Sequence, residues 1–232
     1  MKQFNDELKK LQTNFMDMGI TVSEQIYQST KSFIDHDKPL AQKIVAQDPQ
    51  INKAEIDLEK QALYLMALQQ PLATNFRQVI SILKASSDLE RIGDHAVGIA
   101  QETIYIKGNP RIPEIEVLIA NMTSNVRKML EEVLDAYFRG DEIAAQHIAQ
   151  TDEEIDQQFA QIRQQLTSGL EQNTDLAAAN ASYLMVARFL ERIGDHVVNI
   201  SEWTVYSETG DIIELSDDQK RVKGHQETIN RA

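Results

Sequence analysis

The 232-residue sequence contains no cysteine, only nine glycines and five prolines, and far fewer Lys and Arg (23) than Asp and Glu (36). Without cysteine, disulfides and thiolate metal sites are excluded. Nucleic-acid binding needs clustered basic side chains, so a net charge of -13 argues against it. No run approaches 18 apolar residues, and residues 1–7 are too polar for a signal peptide. We therefore expect a cytoplasmic protein that meets membranes only through partners.

Apolar residues recur at helical spacing from the start of the chain, and turn residues divide the pattern into six helices. The predicted helices cover residues up to 36, 37–68, 74–107, 113–139, 141–169 and 174–206. Asp48-Pro49 predicts a kink or restart in the second helix. Thr151 and Glu154 have the spacing of a capping box, which marks a second start within the fifth. No segment alternates like a strand, so the fold class is all-α.

One six-residue sequence occurs twice. Glu-Arg-Ile-Gly-Asp-His stands at residues 90–95 and again at 191–196, an offset of 101. The match continues at Val97/Val198, Ile99/Ile200, Thr103/Thr204 and Tyr105/Tyr206. Such a repeat indicates duplication. We predict two tandem three-helix bundles related by internal pseudo-two-fold symmetry, residues 1–108 and 112–210, followed by a polar C-terminal tail, residues 211–232.

The repeated segment places two acids on one helix face in each copy. Glu90 and Asp94 are four residues apart, as are Glu191 and Asp195, so each pair shares a face and repels. A glycine lies inside each repeat, at residues 93 and 194, where it costs about 0.5–1 kcal/mol relative to alanine. A cost incurred twice indicates close approach by another helix or by a ligand.

Carboxylates at this spacing are hard oxygen ligands for divalent or ferric ions. Further ligands are expected from a neighbouring helix, where Asp152 and Asp156 form a second pair. The counterpart in the first copy is Asp48 with Asn52. The alternative is a solvated acidic face, with Asp48 capping a helix before Pro49.

Other residues of the repeat have simpler interpretations. His95 and His196 point away from the acid pairs, which favours packing or hydrogen bonding over ligation. Arg91 and Arg192 are placed to neutralise the neighbouring acids. The sequence lacks the Glu-x-x-His of di-iron bundles, a Gly-rich phosphate loop, and a serine or cysteine nucleophile motif. These absences favour a protein that is not an enzyme.

The doubled Leu-Glu-Arg-Ile-Gly-Asp-His resembles the signature of the PhoU family. Residues 69–73 (Gln-Gln-Pro-Leu-Ala), 75–77 (Asn-Phe-Arg) and 202–206 (Glu-Trp-Thr-Val-Tyr) are also similar to family segments. The resemblance covers roughly residues 1–210. Asn75 departs from the family's Asp, and Asn52 stands where the second copy has Asp156, which makes the first metal site the weaker of the two.

The resemblance implies a function and a set of ligands. PhoU proteins are two three-helix bundles that restrain phosphate uptake through the ATPase component of the phosphate ABC transporter, and many connect it to a phosphate-responsive histidine kinase. We also expect a homodimer. Some members bind metal through acidic pairs. The metal expected here is Fe, Zn, Mg or Mn, and the sequence does not decide among them. The metal-ligand candidates are Glu90, Asp94, Glu191, Asp195, Asp152, Asp156 and Asp48. The competing hypotheses are a metal-carboxylate bundle with storage or oxidase chemistry and a metal-free scaffold.

Overall fold

The structure, a computed structural model, describes residues 2–69, 71–106, 108, 110–172 and 177–215. Across these ranges there are seven helices and no strand. The helices are α1 (Lys2–Ile34), α2 (Lys38–Gln69), α3 (Ala73–Tyr105), α4 (Pro113–Arg139), α5 (Glu142–Gln150), α6 (Asp152–Gln172) and α7 (Ala177–Thr209). The all-α fold class is confirmed. Helices α5 and α6 together occupy the place of the fifth predicted helix.

Several helix ends follow directly from the turn residues. Asp37 precedes α2, and its Oδ1 accepts a hydrogen bond from the backbone N–H of Leu40 at 3.0 Å. Pro113 opens α4, where its missing N–H leaves no helical bond unmade. Gly140 ends α4 in the left-handed region with φ of 64°. Asp141 then caps α5 by accepting from the N–H of Ala144 at 2.9 Å.

Two local predictions need correction. Helix α2 does not restart at Asp48-Pro49 but runs continuously through Pro49, so Asp48 lies inside the helix and caps nothing. One face of α2 stays buried on both sides of Pro49, and that packing outweighs the lost backbone bond. The second start at Thr151 is confirmed, because α6 begins at Asp152. Its capping box is not formed among the described residues: the N–H of Glu154 donates to the backbone carbonyl of Thr151 at 3.1 Å, and the Thr151 hydroxyl donates to the carbonyl of Ile148 at 2.7 Å.

Helices α3 and α7 lie at the centre and pack against each other, with α1 and α2 around α3 and α4, α5 and α6 around α7. Helix α1 also packs on α4, so one apolar core runs through both sets. Phe15 packs on Tyr137 with the rings tilted by 49°, and Phe33 meets Tyr183 edge-on, each at 5.0 Å between ring centroids. Burying each large apolar side chain contributes about 1.5–3 kcal/mol. Because the core is shared, the limits 1–108 and 112–210 stay predictions.

The connection between the two helix sets is held by a buried carboxylate. Glu116 accepts from Nε of Arg111 at 3.0 Å and from the hydroxyl of Tyr183 at 2.7 Å. Arg111 also donates to the carbonyl of Ile34 at 2.7 Å. Burial raises the pKa of Glu116, but the bonds from Arg111 and Tyr183 outweigh it and hold that pKa below its usual value. The start of α4 is therefore tied to α1 and α7.

Only the first part of the predicted tail is described. Residues 211–215 follow α7, and the backbone N–H of Leu215 donates to Glu202 at 2.7 Å. Residues 216–232 lie outside the described residues. Within the described part of the chain, no helix combines the length and apolar character needed to cross a membrane.

We expect Gly98→Ala to be less stable than Gly93→Ala by about 1–3 kcal/mol, because overpacking a closed contact forces neighbouring groups to move. A Cβ on Gly98 would lie 2.7–3.0 Å from three ring atoms of Phe189, whereas on Gly93 the nearest atom is an Ile51 methyl at 3.2 Å. Both variants gain the same helix propensity, so the comparison isolates the contact. Urea unfolding measures the difference. Equal stability of the two variants would contradict the packing described here.

Candidate functional site: two acidic clusters beside the central helices

The first acidic cluster lies between α2 and α3. Burial raises the pKa of Glu90, and Asp94, Glu55 and Asp48 raise it further through their charges. Burial likewise raises the pKa of Asp48, with Asp94 adding to the effect. The structure thus brings together the predicted residues Glu90, Asp94 and Asp48. It adds Glu55, which the repeat offset of 101 residues places at the position of Asp156.

The second cluster lies between α6 and α7, with Glu191 and Asp195 on α7 and Asp152 and Asp156 on α6. Glu191 is only 7% exposed. Burial raises the pKa of Glu191 to about 7, and the charges of Asp195 and Asp156 act in the same direction. At neutral pH the Glu191 carboxyl is therefore about half protonated, whereas an ordinary glutamate is almost fully ionised.

The two mid-helix glycines allow the flanking helices to approach the clusters. A Cβ on Gly194 would collide with the carboxylate oxygen of Asp152, so Asp152 lies directly against the backbone of α7. At Gly93 the neighbours are Ile51 of α2 and Gln25 of α1. The close approach predicted from the two glycines is confirmed, and its agent in both copies is a side chain of a neighbouring helix.

Three arginines contact the acids. Arg91 donates to Asp94 at 3.1 Å and lies 3.7 Å from Glu90. Arg192 donates to Asp195 at 2.8 Å, and Arg188 donates to Glu191 Oε1. The interpretation of Arg91 and Arg192 as neutralising partners is therefore confirmed: Arg91 reaches both acids of its pair, and Arg192 contacts Asp195. Since Arg188 has no counterpart at position 87, which is a serine, the second cluster receives more positive charge than the first.

The donor set fits a hard cation chemically. Three buried oxygens in the clusters receive no hydrogen bond from the described residues: Oδ1 of Asp48, Oδ1 of Asn52 and Oε2 of Glu191. A buried acceptor without a donor costs about 1–3 kcal/mol, which a bound cation would relieve. The arrangement fits less well, because no three His, Asp or Glu side chains in the described ranges are placed to hold one ion together. The metal ligands stay a prediction.

The repeated histidines meet at the centre of the molecule, where α3 packs on α7. Their ring centroids are 5.4 Å apart. Nδ1 of His196 lies 2.9 Å from Oδ1 of Asp88, and Asn199 donates to the same oxygen at 2.9 Å. His95 instead packs on the ring of Phe189 at 5.8 Å. Burial, together with the charges of His196 and Arg192, lowers the pKa of His95 to about 4.

The two sides of this contact have diverged in a complementary way. At the repeat offset of 101 residues, Asp88 corresponds to Phe189 and Asn199 corresponds to Gly98. On one side the carboxylate of Asp88 finds the amide of Asn199, and on the other the ring of Phe189 fills the space above Gly98. Reading the two copies in parallel could have found this pair of compensating exchanges, whereas helical periodicity could not.

The fold and the repeated acidic helices define an all-helical protein built from two copies of one unit. A family model described as "PhoU domain" matches residues 15–103 and 119–204. The chain belongs to the PhoU family, as its resemblance predicted.

Named relatives match over nearly the whole chain. A "Phosphate-specific transport system accessory protein PhoU homolog" from Pseudomonas aeruginosa is 34% identical over 88% of this chain and 85% of its own. One with the same description from Streptococcus pneumoniae serotype 4 is 35% identical over 92% of this chain and 99% of its own.

Solved structures agree with the fold. The crystal structure of the phosphate transport system regulatory protein PhoU from Streptococcus pneumoniae superposes with a TM-score of 0.85 at 33% identity, covering 91% of this chain and 99% of that one. PhoU from Pseudomonas aeruginosa gives a TM-score of 0.84 at 34% identity, covering 90% and 100%.

We expect Glu191→Gln to be more stable than the original protein at high pH, with the difference changing by about 3 kcal/mol between acid and alkaline conditions. The folded-state pKa of about 7 lies above the ordinary 4.5, so the folded protein binds more protons between these values. The original protein therefore loses stability as pH rises from about 4.5 through about 7, and the amide variant lacks this loss.

Urea unfolding at several pH values would measure this difference. Glu132→Gln, which removes an exposed acid of α4, is the matched control and should give a difference from the original protein that is small at every pH. A parallel response of Glu191→Gln and Glu132→Gln would show that Glu191 is not perturbed.

Proposed function

We propose that this protein regulates phosphate uptake as a non-catalytic adaptor that restrains a phosphate ABC transporter. The observation that carries the proposal is the match of both halves to the PhoU domain, together with relatives that are named as accessory proteins of the phosphate-specific transport system. The proposed partner is the ATPase component at the inner face of the membrane. A phosphate-responsive histidine kinase is the proposed second partner.

Physical features of the chain support docking as the mode of action. A net charge of -13 disfavours direct contact with DNA or anionic lipid and favours a basic protein surface, where complementary charge speeds encounter and improves specificity. A cytoplasmic location and a homodimer belong to the same proposal. The storage or oxidase alternative is not favoured by the names of the relatives, and the sequence lacks the Glu-x-x-His of di-iron bundles.

The regulatory proposal is tested in a strain that lacks this gene, grown in ample phosphate. We expect radiolabelled phosphate uptake to become unrestrained and phosphate-starvation genes to be mis-set, and a plasmid copy of the gene to restore both. The expected direction follows from the loss of a protein that restrains the transporter. Normal uptake and normal gene control in that strain, with no second copy present, would remove the proposal.

Metal binding at the acidic clusters is a separate proposal, supported by the buried oxygens of Asp48 and Glu191. A divalent or ferric ion would be held by Glu191, Asp195, Asp152 and Asp156 in the second cluster, and by Glu90, Asp94 and Asp48 in the first. The arginine-bound carboxylates must first turn toward a common point, because they do not share one as placed.

We expect untagged protein to carry bound metal, and Asp195→Asn to carry less, since the change removes a charged ligand from the second cluster. Plasma mass spectrometry on dialysed protein measures the content. Asp57→Asn, which removes an acid of α2 paired with Lys53, serves as the control and should leave the content unchanged. The same content in all three proteins, or none in any, would count against the metal sites.

A further inference from the structure

We propose that the groove between α1 and α4 is the docking surface for a cationic amphipathic helix of the partner protein. The inference rests on the proposed function, because it names the surface through which an adaptor of this kind engages its partner. The groove lies apart from both acidic clusters, which belong to α2 with α3 and to α6 with α7.

The groove is formed where α1 and α4 run antiparallel at close range. Arg127 lies over the ring of Tyr27, Ser23 donates to Glu131 at 2.8 Å, and Gly19 lies under Leu134. A Cβ on Gly19 would overlap the Leu134 side chain, so the glycine gives Leu134 the room that it occupies. A groove of about 370 Å³ remains above this contact.

Apolar side chains line the groove and are left uncovered. Ile20 of α1 and Phe138 of α4 are each 63% exposed, and Met16 and Leu134 also line the groove beneath them. On each helix the lining residues recur at helical spacing, from 16 to 24 on α1 and from 127 to 138 on α4. A groove of this shape accepts the apolar face of a third helix, whose anchors repeat every three to four residues.

The charges at the rim select the occupant. Three carboxylates line the groove, those of Glu24, Glu131 and Asp135, against the single cation of Arg127. Arg127 is already engaged, since it donates to Ser23 at 3.2 Å and to Glu131 at 3.3 Å while covering the Tyr27 ring. Asp135 is paired with Arg139 at 3.0 Å, so the three carboxylates together with Arg127 and Arg139 leave a net charge of -1 at the rim. A helix with Lys or Arg flanking its apolar stripe is complementary to this charge. An acidic helix would be repelled.

A defined peptide tests the surface directly. The probe is a fluorescein-labelled 14-residue helix of Leu and Lys, with Leu at helical spacing, titrated with the full chain and followed by anisotropy. The comparison peptide has Glu in place of every Lys. We expect Ile20→Ser with Phe138→Ser to weaken binding of the Lys peptide by about tenfold or more, because a few apolar anchors supply most of the binding free energy of such interfaces.

The matched control removes exposed apolar groups elsewhere. Leu63→Ser with Leu72→Ser changes side chains that are 56% and 84% exposed near the α2–α3 connection, and it should leave the affinity unchanged. Glu24→Gln with Asp135→Asn should reduce the salt dependence of binding. Equal affinity of the two serine variants, or equal binding of the Lys and Glu peptides, would overturn the proposal.

A complementation experiment separates this proposal from the regulatory one. In the strain lacking the gene, the original gene should restore restrained phosphate uptake, and Ile20→Ser with Phe138→Ser should fail to restore it although circular dichroism shows a folded protein. Restoration by this variant would overturn the groove and leave the regulatory function standing. Failure of the original gene as well would remove the regulatory function, and the peptide titration would then decide the groove alone.

Discussion

The packing of α3 against α7 is the contact that places everything else in the molecule. Both helices bury one face in the other, so the acids of the repeated segment are turned away from the seam toward α2 and α6. The same geometry sets the spacing of the outer helices, because Gly98 accepts the ring of Phe189 across the seam while Gly93 and Gly194 accept side chains from α2 and α6. The acidic clusters thus depend on a packing arrangement that they do not themselves stabilise.

Placing carboxylates between packed helices has an electrostatic cost that the arginines only partly offset. Glu191 keeps a bond to Arg188 and still has its pKa raised to about 7, because burial and two neighbouring acids act against ionisation. In the first cluster Arg91 is the one arginine within ion-pair distance of Glu90 and Asp94 among the described residues. Both clusters therefore favour the binding of positive charge, whether a proton, a metal ion or a basic side chain.

Much of the fold could be predicted because the residues that start and end its helices act locally. Pro113, Gly140 and Asp141 end and start helices through their own backbone chemistry, and the repeat at residues 90–95 and 191–196 revealed the duplication. The predicted restart at Pro49 was wrong because α2 tolerates this proline through burial, and burial depends on tertiary packing. The acid pairs were visible as i,i+4 spacing.

The long-range polar contacts were not accessible in the same way. The bond between Asp88 and His196 and the network around Glu116 join residues far apart in sequence, so helical periodicity carries no signal for them.

Asp88 of the first copy stands where the second copy has Phe189, and Gly98 stands where the second copy has Asn199. These differences bear on the history of the chain. A symmetric ancestor would have carried the same residues on both sides of the seam. Two copies of the present second half could not pair in that way, since each Phe189 ring would meet an Asn199 side chain where Gly98 now leaves room. Two copies of the first half would leave a cavity beside each Gly98 and deprive each Asp88 of its amide donor. At this contact each half therefore fits the other half better than it would fit a second copy of itself.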